Sequence, residues 1–185
     1  MKLRFQPLTA ENWDDLVALF GERGACGGCW CMFWHQSSAE YRRLKGKGNR
    51  AALRKRLKNG ANPGIIAYVD DEPVGWCAVE PRDHYKRLES SRALKPIDQQ
   101  PVWSITCFFV KRGHRHQGVT VALLKAALDH IQRQKGRIAE GYPTEPKSKT
   151  GDSFVYSGLV SAFRKAGFSE VARPSATRAI MRKSV

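Results

Sequence analysis

The residues best suited to chemistry lie in a short basic loop, Lys111–Gln117, which is followed by Gly118. An apolar run, Val102–Val110, precedes the loop, and apolar residues at helical spacing follow it, which predicts a strand, a loop and an amphipathic helix. The first N–H groups of a helix have no partner within it, and the helix dipole makes that end partly positive. Gly118 would let a ligand approach closely, and Arg112 and Arg115 add charge, so the loop could bind phosphate. An ordinary connection with solvated basic side chains explains the pattern equally well.

A second candidate is the cysteine-rich segment Cys26-Gly-Gly-Cys29-Trp-Cys31, with His35 further on. Three thiols and one imidazole could complete a tetrahedral zinc shell. However, Cys29 and Cys31 are too close in sequence to point inward together with good geometry, and there is no second C-x-x-C pair. The alternative is a reduced loop whose cysteines pack as small apolar residues. We therefore expect no metal.

A third feature is a basic run, residues 41–58, which contains nine Lys or Arg residues. Such a run is most often the solvated face of a helix. It could also bind nucleic acid or an acidic substrate, but no helix-turn-helix or RNA-binding signature accompanies it. We do not expect nucleic acid as a partner.

Composition sets the outer bounds. The chain has 185 residues, enough for one domain with a substantial core, and a net charge of +15 from 32 basic and 17 acidic residues. It contains no apolar run long enough for a membrane helix, and no apolar signal-peptide core follows Met1–Arg4. Its five cysteines do not suggest a disulfide framework. We expect a cytoplasmic protein that does not enter a membrane.

The hydrophobic pattern predicts the elements that must position these residues. Two strands, Ile65–Val69 and Val74–Glu80, read as a hairpin, and a long polar connection follows them, Pro81–Pro101. The remaining predicted strands are Lys2–Leu8, 102–110, 137–142, 170–173 and 178–182. Helices are predicted after Thr9 and Ser37, from Asn49 to Lys58, after Gly118, and through Val155, Leu159, Ala162 and Ala166.

The segment Arg115-His116-Gln117-Gly118-Val119-Thr120 resembles the R-x-x-G-x-G/A signature of the GNAT superfamily, the acetyl-CoA-dependent N-acetyltransferases. Phe163-Arg-Lys-Ala-Gly-Phe168 is similar to the Y-x-x-x-G-F end of a later helix in that family. The resemblance covers roughly Ile65 to Phe168. It implies an α/β (α+β mixed sheet) GNAT-like fold, one domain over residues 1–185, with helices flanking a central mixed sheet. The sheet would splay between strands 102–110 and 137–142.

The resemblance also implies how acetyl-CoA would bind as co-substrate. The pantetheine arm would lie in the splay and pair with backbone groups of Phe108 and Val110, as an added strand does. An N–H near Phe109 or Val110 could stabilise the oxyanion, and the ring of Phe163 would lie by the CoA sulfur. The pyrophosphate would be held by the N–H groups of Arg115, His116, Gln117, Gly118, Val119 and Thr120.

Transfer to an amine needs a base for the ammonium proton, and an acid can assist the departing thiolate. The base candidates are Glu80 and Glu140, acting directly or through water, with His84 a weaker one. The family's frequent acid is a Tyr four residues before G-F, where this chain has Phe163. Tyr156, at the place of a frequent family Asn, could donate the proton instead or contact pantetheine; water could also protonate the thiolate.

The aromatic segment after the first helix is expected to line the acceptor pocket, because the resemblance places that region there. Its candidate acceptor-binding residues are Trp30, Phe33 and Trp34, although each could equally be core.

The sequence thus predicts an N-acetyltransferase that transfers the acetyl group of acetyl-CoA to a primary amine by direct attack in a ternary complex. One alternative is a CoA-binding module that has lost catalysis, which the missing Tyr favours. Another is a zinc-dependent nucleic-acid binder built on the cysteine segment and the basic run. The sequence identifies neither the acceptor nor an oligomeric state.

Overall fold

The computed structural model describes residues 2–148, 151 and 155–185. Within them, seven strands form one sheet in the order β1-β2-β3-β4-β5-β7-β6. The strands are β1 (Arg4–Pro7), β2 (Gly64–Val69), β3 (Glu72–Pro81), β4 (Trp103–Val110), β5 (Ile138–Gly141), β6 (Ser169–Ser175) and β7 (Arg178–Ser184). The helices are α1 (Trp13–Phe20), α2 (Ser38–Leu44), α3 (Lys47–Lys58), α4 (Lys86–Glu89), α5 (Val119–Arg133) and α6 (Val160–Lys165).

Three shorter elements complete the description. A π-helical turn at Gly24–Gly28 follows α1, and two 3₁₀ turns, Arg82–His84 and Arg112–His114, lie after β3 and β4. The long connection after β3 is therefore partly helical. The buried side chains of Leu88 and Leu94 anchor it to the core. In the described part of the chain, no helix has the length and apolar character to cross a membrane.

The sheet is mixed: among the strands of the described residues, β4 and β5 pair in parallel, and the other neighbouring strands pair antiparallel. The two strands pair only from Trp103 to Ile105, opposite Ala139 to Gly141. Beyond this point β4 runs on to Val110 while β5 ends. The predicted splay is confirmed, and it leaves one edge of β4 without a β5 partner.

A β-bulge in β4 lies directly at the start of the splay. Ala78 of β3 is opposite Cys107, whereas the next residue, Val79, is opposite Ile105. Thr106 is therefore the extra residue of the bulge. Bulges bend a strand and redirect its side chains, and they are frequent next to active sites.

The sheet separates two apolar clusters because side chains alternate along each strand. In β2, Ile65 and Ala67 contact the cluster beneath α5, whereas Ile66 and Tyr68 contact the cluster beneath α1 and α3. Helix α5 buries the apolar stripe that its sequence spacing predicts, including Leu124 and Leu128. The core thus holds β4 and the start of α5 in fixed relation.

The first residues of α2, α3 and α6 show how far local sequence determines where a helix begins. Ser37 begins α2 with a reciprocal capping box to Glu40. The prediction that the next helix begins at Asn49 is wrong: α3 begins at Lys47, and the buried Asn49 amide donates to the Gly28 carbonyl oxygen at 3.1 Å. Helix α6 begins at Val160 because Gly158, at φ 86°, interrupts the predicted helix.

Candidate active site

A cavity of about 780 Å³ follows the open edge of β4. One end is the loop before α5, and the opposite wall includes Leu159 and Ala162 at the start of α6. The other end is formed by the segment between α1 and α2. Of the predicted site residues, the lining includes Phe33, Trp34, Phe108, Phe109, Val110, Arg115, His116, Gly118, Val119, Thr120 and Tyr156.

The loop before α5 makes a tight turn at His116 (φ 61°) and Gly118 (φ 82°), both in the left-handed region. Gly118 tolerates this conformation because it has no Cβ. The turn directs the start of α5 at the cavity, where Gly118, Val119 and Thr120 line the wall. The unsatisfied N–H groups and the positive dipole end of a 15-residue helix therefore face the cavity.

Side chains fix the shape of this loop. Arg115 Nε donates to the Val110 carbonyl oxygen at 2.9 Å, which ties the loop to the end of β4. Gln117 Nε2 donates to the Gly113 carbonyl oxygen at 2.9 Å. Gln117 is absent from the lining, so its side chain supports the turn and does not face the cavity.

The direction of the N–H groups along β4 decides which of them can meet a ligand. Lys111 N–H donates to Val74 on β3 at 2.9 Å, and Phe108 N–H donates away from β3 to the Tyr156 carbonyl oxygen at 2.6 Å. Because N–H directions alternate along a strand, the Phe109 N–H points toward β3. The Val110 N–H points to the open edge, so of the two predicted oxyanion donors only Val110 is oriented for the role.

The segment between α1 and α2 contributes Phe33 and Trp34 to the cavity wall and forms its aromatic end. Tyr156 also lies on the wall, with its ring centroid 6.3 Å from that of Phe33. Burial raises the pKa of Tyr156 above its ordinary value, and the nearby Cys107 thiol acts in the same direction. The phenol therefore stays protonated at neutral pH and can donate a proton inside the cavity.

Phe163 does not line the cavity, contrary to the expectation that its ring lies by the CoA sulfur. It is fully buried and packs edge-on against Phe108 and Phe168. A Cβ at Gly141 would lie 2.1 Å from the Phe163 ring, so the glycine makes room for it. Phe163 therefore packs against β4 at Phe108 and against β5 at Gly141.

Glu80 does not reach the cavity. It is 2% exposed, and its Oε1 accepts from Arg56 Nη2 at 2.6 Å and lies 3.0 Å from His84 Nδ1. Its other oxygen lies 3.4 Å from His35 Nε2. His84 itself is outside the lining as well. Glu80 therefore pairs with Arg56 and the two imidazoles at the end of β3. Its buried position does not support a role as the base that touches the substrate.

Glu140 is equally enclosed. It is 1% exposed, accepts from Arg182 Nε at 2.7 Å and from the Tyr142 hydroxyl at 2.6 Å, and lies 3.2 Å from Arg82 Nη1. Arg82 also donates to the Leu94 carbonyl oxygen at 2.6 Å. The carboxylate therefore joins β5 and β7 to the connection after β3, and it is absent from the cavity wall.

Trp30 also lies elsewhere than expected. It is 2% exposed and stacks on Trp13 at a centroid distance of 6.0 Å, so it belongs to the core beneath α1. Phe33 and Trp34, by contrast, face the cavity, with ring centroids 5.1 Å apart. The guanidinium of Arg87 lies 4.0 Å from the Phe33 ring centroid and orients it.

Sequence reasoning missed several residues at the end of the cavity that Phe33 and Trp34 form. Tyr41 of α2 lines the wall, and burial raises its pKa to about 12. Cys107 is not predicted as a wall residue, because a cysteine inside an apolar strand is typical of the core. Its position on the central strand is the feature of the sequence that could have indicated a place on the cavity wall. The thiols that line the cavity are Cys26, Cys29, Cys31 and Cys107.

Over residues 2–148, 151 and 155–185, no three His, Cys, Asp or Glu side chains are grouped so that they could hold a metal ion. Cys31 instead receives a hydrogen bond from Trp76 Nε1 at 3.1 Å and lies against Cys107. Nor does a carboxylate appear among the described residues of the cavity wall. The titratable groups there are thiols, phenols, imidazoles and basic side chains.

Solved structures show the same fold over nearly the full length of the chain. PaiA N-acetyltransferase from Thermoplasma acidophilum, solved in complex with coenzyme A, is 15% identical, with 100% of both chains covered and a TM-score of 0.57. GNAT-family acetyltransferases from Streptococcus agalactiae (14% identical, 99% and 95% covered, TM-score 0.58) and Streptococcus pneumoniae (12%, 100% and 99%, 0.56) are similar. The α/β fold is therefore that of the GNAT acetyltransferases.

The family follows from the sequence itself. The model of the Acetyltransferase (GNAT) family matches residues 30–141, more than half of the chain, and the chain belongs to this family. No curated protein sequence matches the chain. Family membership supports acyl transfer as the general chemistry of the site.

Proposed function

We propose that this protein transfers the acetyl group of acetyl-CoA to a primary amine, by direct attack while both reactants are bound. The observation that carries the proposal is the continuous cavity along the open edge of β4. It connects the basic loop before α5 with the aromatic end at Phe33 and Trp34. Each reactant then has its own end, and the two meet beside Phe108 and Val110.

The cofactor end fits the anionic part of CoA. Gly118, Val119 and Thr120 line the cavity at the positive end of α5, where the first N–H groups of the helix have no partner within it, and both features favour phosphate. Arg115 and His116 lie at the same end. Acetyl-CoA supplies the activated thioester, and this end of the cavity would fix the position of its acetyl group.

The β4 edge would stabilise the charge that develops during attack. The Val110 N–H points to the open edge, where it can donate to the thioester oxygen as that oxygen becomes negative. Tyr156, protonated because burial raises its pKa, stands on the opposite wall and would give its proton to the departing thiolate. The Val110 N–H is preorganised, because Ile105 and Phe108 pack β4 into the core.

The amine must lose a proton before it attacks. Since no described wall residue is a carboxylate, we propose that water in the cavity takes this proton and that Glu80 and Glu140 hold the fold around it. The rate should then rise with pH as more of the acceptor becomes neutral.

The test is acetyl-CoA turnover against a panel of primary amines, with the products identified by mass. Acetylation of at least one amine, well above the rate of acetyl-CoA hydrolysis without amine, is expected. CoA binding without transfer to any amine would instead identify the protein as a binding module, the alternative that the missing Tyr hydroxyl at Phe163 favours.

A further inference from the structure

Two cysteines from distant parts of the chain meet at the wall of the cavity. Cys31 lies between α1 and α2, and Cys107 lies in β4 directly after the bulged Thr106. Their Sγ atoms are 3.5 Å apart, and both residues line the cavity. The acyl transfer proposed above uses neither thiol.

Hydrogen bonds give the two sulfurs different characters. Trp76 Nε1 donates to Cys31 Sγ at 3.1 Å, and the Cys31 thiol in turn donates to Cys107 Sγ. The bond to Cys107, together with burial, raises the pKa of Cys31, so Cys31 keeps its proton. Cys107 is the more exposed of the two residues, whereas Cys31 is buried, so a peroxide reaches the Cys107 sulfur first. Cys107 is therefore the attacking sulfur of the pair.

The backbone around Cys31 is held in an unusual conformation. Trp30 and Cys31 have φ values of 44° and 52°, two consecutive non-glycine residues in the left-handed region. Such conformations are strained for residues that carry a side chain and persist only where the surroundings impose them. Here the ring of Trp30 is fixed against Trp13 and Phe20. This anchoring presents Cys31 to β4.

We propose that Cys31 and Cys107 are a modification site at which a hydroperoxide forms a reversible disulfide. The Cys107 sulfur attacks one peroxide oxygen: an S–O bond forms, the O–O bond breaks, and an alcohol or water leaves. The Cys31 sulfur then attacks the resulting sulfenic acid: the S–S bond forms, the S–O bond breaks, and water leaves with the Cys31 proton. The two thiols lose two electrons and the hydroperoxide gains both.

The disulfide would also change the cavity. Bonding distance is about 2.05 Å, so the sulfurs must approach each other by more than an ångström. This would draw the segment that carries Phe33 and Trp34 toward β4 and leave the loop before α5 in place. Oxidation should therefore weaken acceptor binding while CoA binding persists. This consequence rests on the proposed function, whereas formation of the disulfide does not.

The experiment exposes the purified full chain to hydrogen peroxide and maps its tryptic peptides without reduction. We expect the peptide of residues 24–42 joined to that of residues 93–111, two hydrogens lighter than the separate peptides and released by dithiothreitol. Cys107→Ser should abolish the link. Cys29→Ser and Cys26→Ser should keep it, which locates the bond at Cys31, and Cys77→Ser is the matched control because that buried thiol lies outside the cavity wall.

A second measurement tests the order of the steps without relying on the disulfide. In Cys31→Ser the sulfenic acid on Cys107 has no thiol to resolve it, so dimedone should label Cys107. In Cys107→Ser, dimedone should not label Cys31. Reduced peptides throughout, or a bond between Cys29 and Cys31 instead, would overturn the proposal, and neither result depends on acetyl-CoA turnover.

Discussion

The backbone N–H of Phe108 donates a 2.6 Å hydrogen bond to the carbonyl oxygen of Tyr156, across the gap that opens beyond the pairing of β4 with β5. The segment before α6 thus occupies the edge position that the family resemblance assigns to the pantetheine arm. An arm that pairs with Phe108 must replace the Tyr156 carbonyl. Cofactor affinity should therefore depend strongly on the other end of the cavity, the loop before α5.

Gly118 provides a direct test of that loop. Gly118→Asp should weaken CoA binding by at least about tenfold, because it adds a negative charge where the helix end attracts phosphate. The matched control is Gly118→Asn, which has nearly the same size and also tolerates the left-handed conformation at φ 82°. Calorimetry should show a much smaller loss for Asn than for Asp. Equal CoA affinities of the two variants would contradict the assignment of the pyrophosphate to this loop.

Tyr156→Phe removes the proposed acid. We expect kcat to fall on the order of 10²-fold with little change in KM for acetyl-CoA, since the lost interaction belongs to the transition state. Tyr41→Phe is the matched control, because Tyr41 is a second phenol on the cavity wall, and its pKa is raised to about 12. An unaltered kcat in Tyr156→Phe would assign the proton to water, and a raised KM alone would make Tyr156 a pantetheine contact.

Local features of the site were predictable because they depend on neighbouring residues. The loop from Arg115 to Thr120 follows from a glycine between an apolar strand and an amphipathic helix, and Ser37 with Glu40 fixes the start of α2. The splay of the sheet came from the family resemblance, since strand pairing between β4 and β5 is not visible in local composition.

The carboxylates could not be placed from sequence, because their surroundings come from distant segments. Glu80 meets Arg56, and Glu140 meets Arg82 and Arg182, so burial with a partner converts two plausible bases into ion pairs. The position of Trp30 could not be predicted either, because the aromatic segment contains both core residues and residues of the cavity wall. The left-handed backbone at Trp30 (φ 44°) turns the chain between the two groups, and local composition does not show it.

Glu140→Gln should therefore act on stability. It removes the countercharge that Arg82 and Arg182 share, while each keeps a second carboxylate, Glu89 and Asp98, so the free energy of unfolding should fall by about 1–3 kcal/mol. Urea unfolding measures this loss, and Glu72→Gln, which breaks an exposed pair with Lys111, should change little. Folded Glu140→Gln protein should keep near-normal turnover. Lost turnover with intact stability would restore Glu140 as the base.

His35 should make stability depend on pH. Burial lowers its pKa to about 4, and the charge of Arg56 acts in the same direction, outweighing the attraction of Glu80. Because the unfolded chain binds this proton near pH 6.5 and the folded chain does not, stability is full above that pH and falls toward about pH 4. From about pH 7 to about pH 5 the loss should be on the order of 2 kcal/mol.

Denaturant midpoints at the two pH values measure the dependence on His35. His35→Gln should remove most of this slope, even if the variant is less stable overall. His116→Asn, which replaces an exposed imidazole and keeps a residue that tolerates φ 61°, serves as the control and should retain the slope. A wild-type slope in His35→Gln would show that another group takes up the proton.

The destination of the acetyl group tests the account most directly. In a single turnover, excess protein is mixed with acetyl-CoA carrying a deuterated acetyl group, with and without an amine that the panel identifies, then quenched and analysed by mass. Direct attack in the cavity predicts that the label moves to the amine, that CoA is released only when amine is present, and that the protein stays unlabelled. Stoichiometric label on the protein before amine is added, at Cys107 or any other residue, would contradict it.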